Sequence, residues 1–223
     1  MIRRILYLLF AFFIVCTVSA QSNDLHVREW KSTPEKPLVL FICGDGGINA
    51  FTTGLCNTMN TAGYSIAVLN SKSYFWSKKT PEETTSDISD FLEKELQNRA
   101  NRQFILAGYS FGADIIPFII NRLPVNLKTE LVSVVLLSPS GSTDFEVHYS
   151  DMLGIGKKRD MDVISEVNRM GSVKIAALFS SDDHIFPPND IYLKNYSTET
   201  LPGGHHFEGN SNQVANSMMK YFK

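Results

Sequence analysis

Residues 108–112 read Gly-Tyr-Ser-Phe-Gly. The apolar run Phe104 to Ala107 precedes them and Ala113-Asp114-Ile115-Ile116 follows, so the segment reads as strand, sharp turn, helix. In that context a G-x-S-x-G pattern lifts a serine hydroxyl to the tip of a strained turn, which makes Ser110 a candidate nucleophile. The glycines have a steric reason: side chains at the flanking positions would collide with the neighbouring strand and helix. The helix beginning there points its N-terminus, with free N–H groups, at the reaction centre. Five such residues alone also make an ordinary Gly/Ser turn, and the flanking strand and helix favour the chemical reading.

A serine hydroxyl is a poor nucleophile unless a histidine takes its proton, and that histidine needs a carboxylate to hold its tautomer and stabilise the imidazolium. Ser180-Ser181-Asp182-Asp183-His184-Ile185-Phe186-Pro187 follows the apolar run Val173 to Phe179. Asp183 is chosen over Asp182 because its place four residues before Pro187 resembles the acid loop of α/β-hydrolases; a plain Asp-Asp turn is the competing reading. The base is sought in Leu201-Pro202-Gly203-Gly204-His205-His206-Phe207. His205 is preferred, since His-x-Phe after glycines resembles the catalytic loop of many hydrolases, and His206 is the alternative. The chain has 5 histidines, so competitors are few. Serine, acid, histidine is also the chain order of the α/β-hydrolase fold. The oxyanion donors are expected to be the backbone N–H of Phe111 and one from the turn Gly44-Asp45-Gly46-Gly47, at Asp45 or Gly46. A phosphate-binding loop competes for that turn, but neither G-x-x-x-x-G-K-[ST] nor G-x-G-x-x-G is present.

These groups must be carried by elements that bring them to one end. Leu38 to Cys43 is a continuous apolar run, as expected of a strand buried on both faces of a parallel sheet. A helix is expected from about Asn49 to Thr61, a strand over Tyr64 to Leu69, and an aromatic, polar connection over Asn70 to Lys79. Thr80-Pro81-Glu82-Glu83 starts a helix, with Thr80 as N-cap and proline at the first helical position. It should run to about Asn98 with Ile88, Phe91, Leu92 and Leu96 on one face. After the strand Phe104 to Tyr109 comes a helix, Ala113 to Arg122, in which Pro117 should kink rather than break the chain. Leu131 to Leu137 is a strand, Ser138 to Asp160 a loop or small cap, Asp162 to Met170 a short helix and Val173 to Phe179 a strand. Thr198 to Leu201 reads as a last short strand and Gly209 to Phe222 as the closing helix, while Asp24 to Ser32 reads as a short edge strand. Strands alternating with helices imply a mostly parallel sheet covered on both faces, with reactive groups at the carboxyl ends of the strands.

The chain has 223 residues, 43% hydrophobic and 20% charged, which suits one globular domain. Its first 20 residues read as a signal peptide: Arg3 and Arg4, the uncharged apolar run Ile5 to Val18, and small residues ending at Ala20. An uncleaved anchor and a lipoprotein reading of Cys16 are the alternatives. Residues 21–223 would then form the single exported domain, in the periplasm. Without Arg3 and Arg4, 21 basic residues become 19 against 23 acidic, a formal charge of −4, and no basic patch argues for nucleic acid. Cys43 and Cys56 remain, and two buried free thiols are expected rather than a disulfide. No CxxC or HExxH is present, and neither metal nor cofactor is expected.

Gly44-Asp45-Gly46-Gly47, Gly108-Tyr109-Ser110-Phe111-Gly112-Ala113-Asp114, Asp144-Phe145-Glu146-Val147-His148 and the Gly-Gly-His-His-Phe loop together resemble the bacterial virulence protein family VirJ/AcvB. The likeness runs from about Pro37 to the C-terminus, at the length of the short, single-domain members. It implies an exported α/β-hydrolase-fold protein; AcvB-like members are associated with hydrolysis of aminoacyl-phosphatidylglycerol, chiefly the lysyl lipid, and VirJ-like ones with type IV secretion. Asp45, Asp114, Asp144, Glu146 and Glu208 are expected around the site without a matching set of Lys or Arg. Part of that acidic rim, Asp45, Asp114 and Glu146 foremost, could receive the ammonium groups of an aminoacyl ester. The aromatic stretches Tyr74 to Trp76 and Phe145 to Met152 could touch lipid, or simply pack. The expectation is a monomeric serine esterase acting on a lipid or other ester at the membrane surface. The alternative is a non-catalytic periplasmic binding or chaperone protein of a secretion system.

Overall fold

The computed structural model describes residues 25–148, 158–182 and 186–223. Seven strands form one sheet: β1 (Val27–Trp30), β2 (Leu38–Ile42), β3 (Ile66–Leu69), β4 (Phe104–Tyr109), β5 (Leu131–Leu137), β8 (Lys174–Ser180) and β9 (Tyr196–Leu201), in the order β1-β3-β2-β4-β5-β8-β9. All neighbours are parallel except β1, which runs antiparallel to β3 at the edge. The register aligns Ile42 with both Leu69 and Gly108, Tyr109 with Leu137, Leu137 with Leu178, and Ser180 with Leu201. The loops after these strands therefore open at one end of the sheet.

The sheet is mostly parallel because its central strands are apolar at every position. In β2, Leu38, Leu40 and Ile42 enter one hydrophobic layer while Val39 and Phe41 enter the other. Such strands are stable only when helices cover both faces. Helices α3 (Pro81–Gln97), α4 (Phe111–Arg122) and α6 (Val163–Asn168) cover the first layer, and α1 (Ala50–Thr61) and α7 (Ser211–Met219) the second. Helix α3 begins at the expected N-cap, and the structure adds a full capping box: Thr80 Oγ1 accepts from the Glu83 N–H, and the Glu83 carboxylate accepts from the Thr80 N–H. Helix α4 starts two residues earlier than expected and runs unbroken through Pro117.

Several local features depart from the sequence reading. The connection over Asn70 to Lys79 contains a short helix, α2 (Ser71–Tyr74), and another, α5 (Val125–Glu130), follows Pro124. Each is a turn or two long, too short for an apolar period to show. Strand β9 starts at Tyr196 rather than Thr198, its length set by pairing with β8 rather than by its own mixed sequence. The expected cap has a small frame of its own, in which β6 (Ser142–Thr143) pairs antiparallel with β7 (Met161–Asp162). Its Phe145 carbonyl accepts from the Lys79 N–H, and the Val147 N–H donates to the Phe75 carbonyl, which fastens it over the connection after β3. Cys43 and Cys56 are both free and buried; burial pushes both thiols above their ordinary range, that of Cys56 to about 12. No described helix is long and apolar enough to cross a membrane, and the expected signal peptide lies outside the described residues.

Candidate active site

Ser110 stands between β4 and α4 with φ 51° and ψ −121°, a left-handed conformation costly for a residue with a side chain. The surroundings hold it there: its N–H donates to the Leu137 carbonyl at 2.9 Å, and its carbonyl accepts from the Asp114 N–H at 3.1 Å. The two glycines are required by close approach. A Cβ on Gly108 would lie 2.6 Å from the Gly112 backbone, and one on Gly112 would lie 2.1 Å from the Ile42 carbonyl oxygen. The elbow is thus wedged against the end of β2, which brings the Gly44–Gly47 turn beside it.

The loop after β9 carries the two histidines to this point. His205 Nε2 lies 2.9 Å from Ser110 Oγ, within hydrogen-bond reach. His206 goes elsewhere: its Nδ1 lies 2.6 Å from the Tyr109 hydroxyl, which also donates to the His205 carbonyl at 3.1 Å. The loop is contorted, with positive φ at Gly203, Phe207, Glu208 and Gly209. Buried Phe207 anchors it, stacked on Phe51 with ring centroids 6.2 Å apart, and Phe51 in turn lies 5.3 Å from Tyr109.

The strand that precedes the expected acid ends beside this loop. The Ser181 N–H donates to the Leu201 carbonyl, and the Asp182 N–H to the Gly203 carbonyl. Asp182 is exposed and its carboxylate accepts from Ser181 Oγ at 2.8 Å. Asp183 itself lies outside the described residues.

On the oxyanion side, the Phe111 N–H belongs to the first turn of α4, where the helix supplies no acceptor. In the Gly44–Gly47 turn, Gly47 closes back on the Gly44 carbonyl at φ 77°, and the Gly46 N–H donates to Asp45 Oδ1 at 2.8 Å. The backbone N–H of Asp45 has no acceptor among the described residues, whereas that of Gly46 is taken.

The acidic rim is less uniform than its sequence suggests. Asp114 is buried, and its carboxylate accepts from the Ser140 N–H at 2.6 Å and from Ser140 Oγ at 2.7 Å, so it ties α4 to the loop after β5. Asp144 is paired with His148 at 2.8 Å, and Arg159 stands 4.0 Å away, a cation the sequence reading did not bring here. Glu208 accepts weakly from the Gly204 N–H, and half-buried Glu146 makes no hydrogen bond or ion pair among the described residues. Of the aromatic stretches, Phe75 and Phe145 are core residues, packed edge to face on each other and, for Phe75, on Phe111. Trp76 is exposed, and Met152 lies outside the described residues. The elbow tyrosine, Ser140 and Arg159 are the contributors that sequence reasoning missed; only Tyr109, lying inside a recognised motif, carried any signal. Among the described residues no three His, Cys, Asp or Glu side chains gather as a metal ion would require.

No curated protein matches the chain in sequence. Among solved structures it is similar to an α/β-hydrolase enzyme from the sediment metagenome of the Mar Chica lagoon, Morocco, with TM-score 0.60, 14% identity, and coverage of 87% of this chain and 92% of that one. It is also similar to a membrane phospholipase A described as a bacterial virulence factor, with TM-score 0.63, 12% identity, and coverage of 87% and 81%. Est1E from Butyrivibrio proteoclasticus aligns with TM-score 0.58 at 15% identity, over 87% and 93% of the two chains. These likenesses establish the α/β-hydrolase fold. The sequence profile of the family described as bacterial virulence protein (VirJ) matches residues 36–223, and the chain belongs to that family.

Proposed function

We propose that this chain is a serine esterase of the periplasm that cleaves an aminoacyl ester of phosphatidylglycerol, of the lysyl-phosphatidylglycerol kind. The observation that carries the reading is the 2.9 Å contact of His205 Nε2 with Ser110 Oγ on a left-handed elbow. Ser110 Oγ attacks the acyl carbonyl carbon while His205 Nε2 takes its proton. The oxyanion so formed is held by the N–H groups of Phe111 and Asp45. The intermediate collapses, the ester C–O bond breaks, and the leaving alkoxide of the glycerol takes the proton from His205. A water molecule, deprotonated by His205, then attacks the acyl-enzyme; the acyl C–Oγ bond breaks, Ser110 Oγ takes the proton back from His205, and the amino acid is released. Asp183 is assigned the role of orienting the imidazole.

The substrate class rests on the family and on charge. Glu146 and the second carboxylate oxygen of Asp45, whose Oδ1 is taken by the Gly46 N–H, are the rim groups left to receive an ammonium group, since both oxygens of Asp114 are occupied and Asp144 is paired with His148. The fold suits an ester lipid, as the membrane phospholipase A that shares it illustrates. A monomer released after cleavage at Ala20 would work at the membrane surface. A fluorophosphonate probe tests the enzyme: folded wild type is labelled and Ser110→Ala is not. Absence of labelling in folded wild type would instead favour a binding or chaperone protein of a secretion system. Lipid analysis of a deletion strain tests the substrate, with accumulation of aminoacyl-phosphatidylglycerol as the expected result.

A further inference from the structure

We propose that Tyr109 and His206 are positioning residues, in which the elbow's phenol clamps the histidine loop and holds His206 as the Nδ1–H tautomer, so that His205 meets Ser110. The proposal rests on the reading of His205 as the base.

Tyr109 is buried, and it adjoins the nucleophile in the chain. Its oxygen lies 3.1 Å from the His205 carbonyl oxygen and 2.6 Å from His206 Nδ1. A phenol has one proton to share between these two neighbours. Were it given to His206 Nδ1, the His205 carbonyl would face a phenol oxygen that brings it no proton. Given to the carbonyl, it leaves the phenol oxygen free to accept, and His206 must then supply a proton of its own on Nδ1. Only the second arrangement puts a proton in each of the two short contacts. It leaves His206 Nε2 toward solvent, consistent with the exposure of that side chain.

Two consecutive loop residues are thereby tied to the residue before the nucleophile, which sets where His205 stands relative to Ser110. The loop needs such a tie, because Phe207 and Glu208 both take positive φ, a conformation costly for residues with side chains. The paired histidines then divide the work: one exchanges protons with the serine and the other holds the loop.

The test compares Tyr109→Phe, His206→Ala and His206→Asn with wild type, using p-nitrophenyl butyrate turnover, thermal melting and 15N NMR of the histidine side chains. Displacing a reacting group by about 1 Å can cost about a hundredfold, so Tyr109→Phe and His206→Ala, which loosen the loop by less, should lower kcat about tenfold with KM within about twofold. His206→Asn, whose side-chain N–H can stand where Nδ1–H stood, should recover to within about threefold of wild type. A purely structural tie would lower the melting temperature and leave kcat of the folded protein unchanged. In the NMR experiment His206 should carry its proton on Nδ1 in wild type and lose that preference in Tyr109→Phe. Unchanged kcat in Tyr109→Phe, or His206→Asn as impaired as His206→Ala, overturns the clamp. Should Tyr109→Phe not fold, the two His206 variants decide. If wild type neither turns over ester nor takes the fluorophosphonate, the esterase reading falls. The tautomer still decides the clamp: Nε2–H on His206 refutes it and Nδ1–H supports it.

Discussion

Gly112 passes so close beneath Ile42 that a methyl group on it would lie 2.1 Å from the Ile42 carbonyl oxygen, with the Cys43 carbonyl oxygen 2.7 Å away. Both obstacles are backbone in the middle of the sheet, and neither can swing aside. Gly112→Ala should therefore force the end of β2 away from α4, at a cost of about 3 kcal/mol, the upper part of the range for overpacking. The urea midpoint should fall accordingly. Ester turnover should fall further than stability does, because the Asp45 and Phe111 N–H groups are separated by the same movement.

Ser110 gives the opposite sign. Its φ of 51° is one that glycine adopts freely and serine does not. Ser110→Gly should raise stability by roughly 1 kcal/mol, offset in part by the unfolded-state entropy of glycine, while Ser110→Ala, still carrying a Cβ, should not. Both variants should be dead toward a fluorophosphonate. Thermal melting of the pair against wild type separates strain from chemistry, and equal melting temperatures for Gly and Ala would show that the elbow stores no strain.

The acids of the rim should divide by role. Asp114→Asn places an amide where two Ser140 donors converge, and a buried mismatch of that kind costs about 1–3 kcal/mol. Asp45→Asn leaves the core untouched. Comparing lysyl with alanyl and uncharged ester lipids, Asp45→Asn should lose preference for the lysyl substrate with little change in melting temperature. Asp114→Asn should do the reverse. Equal selectivity in wild type and Asp45→Asn would remove Asp45 from substrate recognition.

Acid should loosen the contact between β9 and α7. Desolvation alone would raise the Glu199 pKa, but hydrogen bonds from Lys220, Ser217 and Tyr221 outweigh it and hold the carboxyl below its ordinary value. A carboxyl depressed by folding contributes stability that is complete above its unfolded pKa and is lost as pH falls through the folded one. Below about pH 4.5, wild type should lose the contribution of this cluster, whereas Glu199→Gln should be weaker by about 1–2 kcal/mol at pH 7 and show a flatter acid limb. Urea midpoints taken between pH 7 and pH 3 measure the difference, and parallel curves for the two proteins would refute the assignment.

Much of the framework could be read along the chain, for local reasons. Leu38 to Ile42 is apolar without alternation, and only a strand covered on both faces tolerates that. Thr80-Pro81-Glu82-Glu83 contains both halves of its own capping box within four residues. The short edge strand near the start of the domain was also legible, although neither its antiparallel sense nor its pairing with β3 was. Helix α5 escaped notice because it buries a single side chain, Leu127, and β9 was read two residues short, from Thr198, because its length is set by pairing with β8.

The sequence by itself determined that a serine sits between a strand and a helix flanked by glycines, and that a histidine pair follows the last strand. Those are statements about neighbours in the chain, and local sterics suffice for them. The tertiary structure alone decided which of two adjacent histidines lies against Ser110. In a loop with left-handed residues at Gly203, Phe207 and Glu208, the directions of His205 and His206 follow no period. They are set by Phe207 stacking on Phe51 and by the Tyr109 hydroxyl, contacts between segments about a hundred residues or more apart that no local pattern encodes.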